Sequence, residues 1–262
     1  MHRASLSRRR RAEEIEMAAN WQRGVLKAMG VKNHSARVID VTDLTPWYRR
    51  IRLSAPGFLD EIALHPTIWL RLWVPSLTSD KVVQRGYTIL EPDVAAGEFS
   101  LDFVLHEPTG PAAAWAKSAV VGTTAEVAHT PQRLTIDPQT RLLVLAGDTT
   151  ALPAINTMLQ HAPEDAVKHV VVQDDHDDHE ALPLAADART TVSWAAPDAT
   201  GASVVAGLQA SLPHEVPDAV YLWAAGERKL VKAVREYARG TLGLDRHRHH
   251  AQNYWIQGYN AG

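Results

Sequence analysis

A four-residue segment, Arg85-Gly86-Tyr87-Thr88, combines side chains that together could hold a planar redox cofactor. A guanidinium can donate two hydrogen bonds to pyrophosphate oxygens, and a tyrosine ring can stack on an aromatic ring system. The threonine hydroxyl, or a backbone amide near it, could reach a ring nitrogen of a flavin. The segment also suits an ordinary strand, in which alternation places Tyr87 in the core and Arg85 at its rim. By itself it leaves both interpretations open.

A second segment, residues 101–116, predicts a strand, a turn and a short helix that could bind phosphate. Gly110 precedes the helix and Pro111 takes its first position, where a missing N–H is harmless. The free backbone amides of Ala112 and Ala113 could receive a phosphate group. Because Gly-Pro often begins helices, ordinary helix initiation remains the alternative.

A third segment, residues 143–155, predicts a buried strand, a tight turn and the start of a helix. An α/β domain presents a nucleotide at such a strand end. The segment lacks the Gly-x-Gly-x-x-Gly pattern, so pyrophosphate binding of the usual Rossmann type is not indicated. Asp148 and Thr149 could instead cap the helix. Residues 223–227 predict a second strand end of the same kind.

The first two segments lie in a region whose pattern predicts antiparallel strands. Short β-rich runs alternate there with turn residues, which is typical of a small antiparallel barrel. A helical stretch at 111–118 interrupts the pattern. The runs are 37–41, 49–53, 69–74, 82–90 and 99–105.

From residue 141 onward, buried strands alternate with helices, which predicts a parallel sheet covered on both faces. A polar turn at 135–140 marks the boundary between the two patterns. We therefore expect a β-barrel domain at 36–137 and an α/β domain at 138–262. The apolar runs of the second domain are 142–146, 169–172, 191–194 and 220–224.

Composition excludes several classes of function. The 262 residues carry a net charge of −3 and are 45% hydrophobic, so no general field favours nucleic acid, and none is expected as a partner. The chain has no cysteine, which rules out disulfides, a cysteine nucleophile and an all-cysteine iron–sulfur cluster. Any redox chemistry must therefore come from a bound organic cofactor.

The N-terminal region leaves two interpretations open. Four arginines at 8–11 precede a helix-like run at 12–29, which could contact anionic lipid or a partner protein. Alternatively, residues 1–35 are a leader whose helix packs on the domain. No run approaches the roughly 18 apolar residues of a membrane span, and no secretory signal is visible. We expect a cytoplasmic protein whose residues 1–30 could touch a partner protein or the inner face of the cell membrane.

Together these segments resemble the siderophore-interacting protein family, within the ferredoxin-reductase-like flavoproteins. The similarity covers residues 36–258 and includes the closing motif at 254–258. The matching motifs are Arg85-x-Tyr87-Thr88, Val104-Leu105-His106, Gly110-Pro111-Ala112, Trp115-Ala116, Ala146-Gly147-Asp148, Ala151-Leu152-Pro153-Ala154 and Ala225-Gly226-Glu227.

The resemblance implies an N-terminal antiparallel β-barrel that binds FAD and a C-terminal α/β domain, with a parallel sheet, that binds NADPH or NADH. The substrate would be a ferric siderophore, from which reduction releases ferrous iron. No catalytic acid–base pair is expected. The residues implied for FAD are Arg85, Gly86, Tyr87, Thr88, His106, Thr109, Gly110, Ala112 and Ala113, those for the nicotinamide side are Asp148, Thr149, Ala151 and Glu227, and Trp255 is a further cofactor contact.

Two positions depart from the family pattern. Leu90 stands where relatives often carry a second arginine, which implies that FAD is held more loosely or through another group. Ile256 replaces a basic residue of the closing motif that would attract an acidic ferric siderophore. We therefore expect a neutral or lipophilic siderophore.

Residues 84–116 and 250–255 are also similar to the reductase domain fused to mycobacterial siderophore ABC importers. We expect a free-standing protein, with an excised transporter domain as the alternative. Two other functions stay open, a general flavin reductase or electron relay, and a non-catalytic flavin- or siderophore-binding module on a transporter.

No metal site is expected in this chain. Arg246 and Arg248 interleave with the histidines at 247, 249 and 250 and would repel a cation. The acidic tract at 174–180 lacks the glycine and the spacing of a calcium loop, so we expect a solvated loop there.

Overall fold

The computed structural model describes residues 32–129 and 131–258. They form two compact units, the first within Met1–Ala63 and Trp69–Gln132, the second within Leu64–Ile68 and Arg133–Tyr259. The predicted leader at 1–35, with its helix, lies almost wholly outside the described residues. The domain bounds that the sequence suggests, 36–137 and 138–262, stay a prediction.

The first unit is built on a seven-stranded antiparallel sheet. Its strands are β1 (Asn33–Thr45), β2 (Tyr48–Ser54), β3 (Trp69–Pro75), β4 (Val82–Thr88), β5 (Leu90–Asp93), β6 (Glu98–Val104) and β7 (Thr124–Ala128). They lie in the order β4-β3-β7-β1-β2-β6-β5, and helix α1 (Pro111–Ser118) follows β6. This half-barrel confirms the predicted antiparallel fold class of the first domain.

One predicted strand is wrong in its extent. The run at 82–90 is divided, since β4 ends at Thr88 and β5 begins at Leu90. The chain changes partners there, because β4 pairs with β3 whereas β5 pairs with β6. Leu90 is 5% exposed, so the position at which relatives carry an arginine belongs to the apolar core.

A buried ion pair joins β2 to β6 inside the first unit. Arg50 and Asp102 are directly opposite in the register, with Nε–Oδ1 at 2.7 Å and a second guanidinium nitrogen 2.9 Å from Oδ2. Burial raises the pKa of Asp102, and the two bonds from Arg50 oppose that increase. A paired charge at this depth fixes the register of β2 against β6, the strand that leads to α1.

The second unit is a five-stranded parallel sheet with helices, as predicted. Its elements are β8 (Leu142–Asp148), α2 (Leu152–Gln160), β9 (Val167–Gln173), β10 (Thr190–Ala195), α3 (Ala202–Ser211), β11 (Val220–Glu227), α4 (Arg228–Gly240) and β12 (His249–Trp255). The strand order is β10-β9-β8-β11-β12. The order reverses between β8 and β11, and open α/β sheets bind ligands outside the carboxyl ends of strands at such a point.

Helices cover the sheet of the second unit because its strands are apolar on both sides. All seven residues of β8 are buried, and α3 and α4 close one apolar core over β8, β9 and β11. β8 leads to α2 through Thr149–Ala151 and β11 leads directly into α4, so Asp148 and Glu227 lie at the carboxyl edge of the sheet. Within the described residues, no helix has the length and apolar character needed to cross a membrane.

Candidate functional site

Tyr87 is the half-buried end of a row of aromatic rings in the first unit. Its ring centroid lies 4.4 Å from that of Phe103, which lies 5.6 Å from that of Trp115 in α1. Phe103 and Trp115 are buried, whereas Tyr87 keeps part of its surface exposed. Burial raises the pKa of Tyr87, so its ring stays neutral. The tyrosine therefore packs on the core and also offers a flat surface on which a ring can stack.

Arg85, Gly86 and Thr88 accompany Tyr87 on β4. Alternation along the strand puts Arg85 and Tyr87 on one face and Gly86 and Thr88 on the other. Arg85 is half-buried and donates a hydrogen bond to the carbonyl oxygen of Gln84 at 2.7 Å. Burial lowers the pKa of Arg85, since a desolvated guanidinium is less favourable than a hydrated one. A negatively charged ligand beside it would offset that cost.

Helix α1 begins with backbone amides that no side chain caps. Gly110 is its N-cap residue in an extended conformation, and Pro111 takes the first helical position. Ala112 and Ala113 are 7% and 4% exposed and add no bulk at the helix start. The imidazole of His106 lies beside this turn, 3.8 Å from where a Cβ on Gly110 would stand. Free amides together with the helix dipole make this end suited to an anion.

Thr109 is held in a network of charged side chains before α1. Its Oγ1 donates to Glu107 Oε1 at 2.7 Å, and Lys117 Nζ donates to the same oxygen at 2.6 Å. The ion pair with Lys117, helped by Thr109, lowers the pKa of Glu107 to about 2. The hydroxyl of Thr109 is thus bonded within the protein, so it orders the turn that carries Gly110.

Arg49 supports the other end of α1, a role that the sequence did not indicate. One guanidinium nitrogen donates to the carbonyl oxygens of Ala116 at 2.9 Å and Lys117 at 3.2 Å. Asp43 binds the same guanidinium at 2.6 and 3.0 Å. A cation at the carboxyl end of a helix complements its dipole. No local pattern predicts this contact, because 67 residues separate Arg49 from Ala116.

At the carboxyl edge of the parallel sheet, Asp148 accepts hydrogen bonds on both carboxylate oxygens. Oδ1 accepts from the backbone N–H of Thr150 at 3.0 Å and also from its hydroxyl. Oδ2 accepts from the N–H of Glu227 at 2.7 Å and from the indole Nε1 of Trp255 at 2.8 Å. Burial raises the pKa of Asp148, and these four bonds oppose that increase. The carboxylate thereby joins the ends of β8, β11 and β12.

Glu227 caps α4 from the end of β11. Its Oε2 accepts from the backbone N–H groups of Lys229 and, at 3.4 Å, Leu230. Its Oε1 accepts from the N–H of Gln257 at 3.1 Å. Glu227 is only 9% exposed. Both carboxylate oxygens of Glu227 are therefore hydrogen-bonded to backbone groups of the chain.

Two glycines allow these strand ends to approach each other. A Cβ on Gly226, whose φ is 133°, would overlap the carboxylate of Asp148. A Cβ on Gly147 would overlap the carbonyl oxygen of Ala225 and the methyl group of Ala151. A larger residue at either position would therefore force the strand ends apart.

The structure brings the predicted nicotinamide-side residues together at one edge, with different exposures. Thr149 is 8% exposed and Ala151 is fully buried, so their side chains belong to the packing beneath the edge. Trp255 is 43% exposed and Tyr254 is 37% exposed. The indole of Trp255, predicted as a further cofactor contact, is thus the largest accessible surface among the predicted residues at this edge.

The acidic tract after β9 contains one carboxylate that is buried, contrary to a wholly solvated loop. The Asp174 side chain is 2% exposed, whereas that of Asp175 is 71% exposed. Asp174 lies 2.7 Å from Nδ1 of His176, and the possible ligand atoms of Asp174, Asp175 and His176 lie within 4.8 Å of one another. Asp174 thus departs from the prediction, with one carboxylate oxygen paired with the imidazole of His176.

Two protein-family models match the chain. Residues 64–135 match the model of the siderophore-interacting FAD-binding domain, and residues 140–258 match that of siderophore-interacting proteins. The chain belongs to the siderophore-interacting protein family. The resemblance drawn from the motifs is therefore confirmed.

Individual relatives agree with this membership. The chain is 35% identical over 252 residues to the mycobactin import ATP-binding/permease protein IrtA of Mycolicibacterium thermoresistibile. The matched region covers 94% of the chain but 27% of IrtA. The chain thus spans about a quarter of the length of that relative. It is 28% identical over 187 residues to the ferric vibriobactin reductase ViuB of Vibrio cholerae, covering 69% of the chain and 67% of ViuB.

A solved structure has the same fold. The siderophore-interacting protein SipS from Aeromonas hydrophila superposes with a TM-score of 0.75 at 26% identity, covering 87% of the chain and 93% of SipS. The two-domain fold class predicted from the sequence is confirmed by this similarity.

The first unit of this siderophore-interacting protein fits the cofactor that its family model names. FAD carries a diphosphate and a flat ring system, and the unit offers uncapped amides at α1 and the half-exposed ring of Tyr87. The prediction of FAD as cofactor is confirmed at the level of the domain. The individual contacts stay predictions for all the residues implied for FAD, which are Arg85, Gly86, Tyr87, Thr88, His106, Thr109, Gly110, Ala112 and Ala113.

Proposed function

We propose that this protein is an FAD-dependent reductase that passes electrons from NADH or NADPH to ferric iron held by a siderophore. The observation that carries the proposal is the siderophore-interacting FAD-binding domain at 64–135, joined to a parallel α/β unit with a switch point between β8 and β11. A relative, ViuB, is named for ferric vibriobactin reduction. Reduction fits release, because siderophore oxygens hold the hard ferric ion far more tightly than the ferrous ion.

In the first unit, each residue has a binding role rather than an acid–base role. The amides of Ala112 and Ala113 would bind the diphosphate of FAD, with the guanidinium of Arg85 as a charged partner. Tyr87 would hold the ring by stacking. The Thr88 side chain lies on the other face of β4 and is 8% exposed, so a backbone amide near it would bond the edge of the ring. FAD, when bound, supplies a ring that accepts hydride and gives up electrons singly. The protein needs only to orient that ring and keep water from it.

In the second unit, the carboxyl edge of β8, β11 and β12 would hold the nicotinamide donor. The sheet order places the switch point there, and the predicted residues Asp148, Glu227 and Trp255 meet at it. The turn after β8 lacks the Gly-x-Gly-x-x-Gly pattern. At the start of α4, Glu227 accepts from the amides of Lys229 and Leu230, so these two amides would not be available to a phosphate.

For the siderophore we propose a neutral or lipophilic type. Ile256, half-buried at the end of β12, stands where relatives carry a base, so an acidic ferric complex has one cation fewer to attract it. A pair of ferric complexes that differ in net charge but share the same ligand groups tests this preference. A lower KM for the acidic member would contradict it.

A second candidate function is a flavin- and siderophore-binding module that works with a transporter. The specific observation is the match to IrtA, whose printed name is that of a mycobactin importer and of which the chain covers 27%. Contact with a transporter or membrane through residues 1–30 belongs to this candidate, and those residues lie outside the described part of the chain.

An anaerobic absorbance experiment separates the two candidates. FAD-reconstituted protein receives NADH or NADPH, then a ferric siderophore together with a ferrous-ion chelator, with ferric citrate as the parallel acceptor. A reductase bleaches the flavin band with the donor and restores it with the siderophore while the ferrous chelate forms. Flavin that stays oxidised with both donors would refute the reductase and favour the binding module, and faster turnover with ferric citrate would favour a general flavin reductase.

A further inference from the structure

A hydrogen bond from Trp255 to Asp148 crosses the whole switch point. Asp148 ends β8 and Trp255 ends β12, and β11 lies between these two strands. The indole reaches the carboxylate over Gly226, where any side chain would overlap Asp148. We call Asp148, Gly226 and Trp255 the carboxylate bridge.

A β-bulge aims the indole toward the bridge. Gly226 pairs with Asn253, but the next pair is Glu227 with Trp255, so Tyr254 is an extra residue on β12. Bulges rotate the side chains that follow them and occur beside functional sites. The ring of Tyr254 turns to the buried Trp223, with centroids 6.4 Å apart. Trp255 is left at the edge with its nitrogen bonded and 43% of its surface exposed.

The carboxylate of Asp148 has little capacity left for a ligand. Two donors bind each of its oxygens, and the residue is 6% exposed. An ionised carboxylate has room for about four donors. Direct recognition of a donor molecule by Asp148, which its place in the sequence motif suggests, would require breaking one of these bonds.

We propose that Asp148 is a positioning residue that fixes the indole of Trp255 as the stacking surface for the nicotinamide donor. Because it concerns the donor site, this role rests on the proposed function. The hydrogen bond through the indole N–H fixes the orientation of the ring and does not cover either of its faces. The flat surface is therefore preorganised for a planar ligand. Binding of the donor on the uncharged indole also suits this edge, because the carboxylates of Asp148 and Glu227 already accept hydrogen bonds from the chain.

The role predicts that Asp148 and Trp255 act as one unit in donor binding. In the FAD-loaded protein, Asp148→Asn and Trp255→Phe should each raise KM for the donor about tenfold, with a smaller change in kcat. The double variant should be no worse than Asp148→Asn alone. Single-variant effects that multiply in the double variant would overturn the role, because Asp148 would then act on the donor independently.

Indole emission gives a readout that does not depend on turnover. The spectrum of Trp255 is obtained as the difference between two proteins that differ only by Trp255→Phe, which cancels the other seven tryptophans. Asp148→Asn should shift that difference spectrum to the red, because the released ring meets more water. An unchanged difference spectrum would contradict the bridge.

Asp198→Asn is the matched control. Asp198 also accepts several backbone N–H bonds, including that of Ser203 in the first turn of α3 at 2.7 Å. It follows β10, which β9 separates from the switch-point strand β8. It should lower stability without altering KM for the donor. If Asp148→Asn fails to fold, Trp255→Leu replaces it, and an unchanged KM in that variant would overturn the role. If neither NADH nor NADPH reduces the flavin of the wild-type protein, the proposed function is refuted. If the wild type is active, the variants test the role of Asp148 alone.

Discussion

Two helix starts at the candidate sites, those of α1 and α4, are built in opposite ways. At α1, Gly110 gives no side-chain cap and small residues follow. At α4, Glu227 accepts from the first-turn amides and so fills the place of an external anion. Under the proposed function, the first unit would bind FAD through free amides and charge, whereas the second would bind the donor through shape and ring surface.

The largest effect is expected from making α1 resemble α4. Gly110→Asp would place a carboxylate at the N-cap, where the backbone is already extended and a Cβ meets only His106 at ordinary distance. The new carboxylate competes with the diphosphate and repels it, so FAD affinity should fall about 100-fold. Titration of the apoprotein with FAD measures this change.

Gly110→Ala is the control, since it adds the same Cβ without a charge. It should bind FAD within a few-fold of wild type. Comparable losses in both variants would mean that α1 does not bind the diphosphate through its amides.

A smaller effect is expected from the aromatic row of the first unit. Tyr87→Ala removes the accessible ring at the end of the row, so FAD affinity should fall about tenfold, whereas Tyr87→Phe keeps the stacking surface and should stay near wild type. Flavin fluorescence quenching during FAD titration distinguishes the two. Equal weakening in both variants would assign the contribution to the hydroxyl instead of the ring.

Opening the start of α4 should cost stability. Glu227→Ala frees the amides of Lys229 and Leu230 and removes the bond to Gln257, so the free energy of unfolding should fall by about 1 kcal/mol. Urea unfolding measures it. Glu236→Ala, on the same helix with a side chain 68% exposed, is the control and should change little. Equal losses would indicate that α4 does not depend on its cap.

The smallest effect concerns acid stability before α1. The pKa of Glu107 is lowered from 4.5 to about 2 by Lys117 and Thr109, so the ionised form stabilises the fold above pH 4.5. That stabilisation is lost as the pH falls through 2. Lys117→Met should therefore show a weaker decrease in stability than wild type between pH 4.5 and about 2. Parallel curves for the two proteins would contradict the pairing.

Local patterns predicted both sheets and the start of α1, because strand alternation and the Gly-Pro signal act over a few residues. They placed Asp148 and Trp255 in motifs but did not connect them, since the bond joins residues 107 positions apart. For the same reason Arg49 was missed as a partner of α1. Segment Leu64–Ile68 also went unnoticed as part of the second unit, which it joins through a bond from Thr67 N–H to Thr157 at 2.9 Å. Such contacts depend on the completed topology.

The carboxylate bridge also has a consequence for the edge of the parallel sheet. Among the described strands, β12 has β11 as its single neighbour, and an edge strand with one neighbour tends to fray. The bonds from Trp255 to Asp148 and from Gln257 to Glu227 tie its end to the sheet interior. When β12 opens, the stacking surface of Trp255 should therefore be lost at the same time. The rate of amide hydrogen exchange in β12 would then measure how often the strand opens, and so how often the edge can bind a ligand.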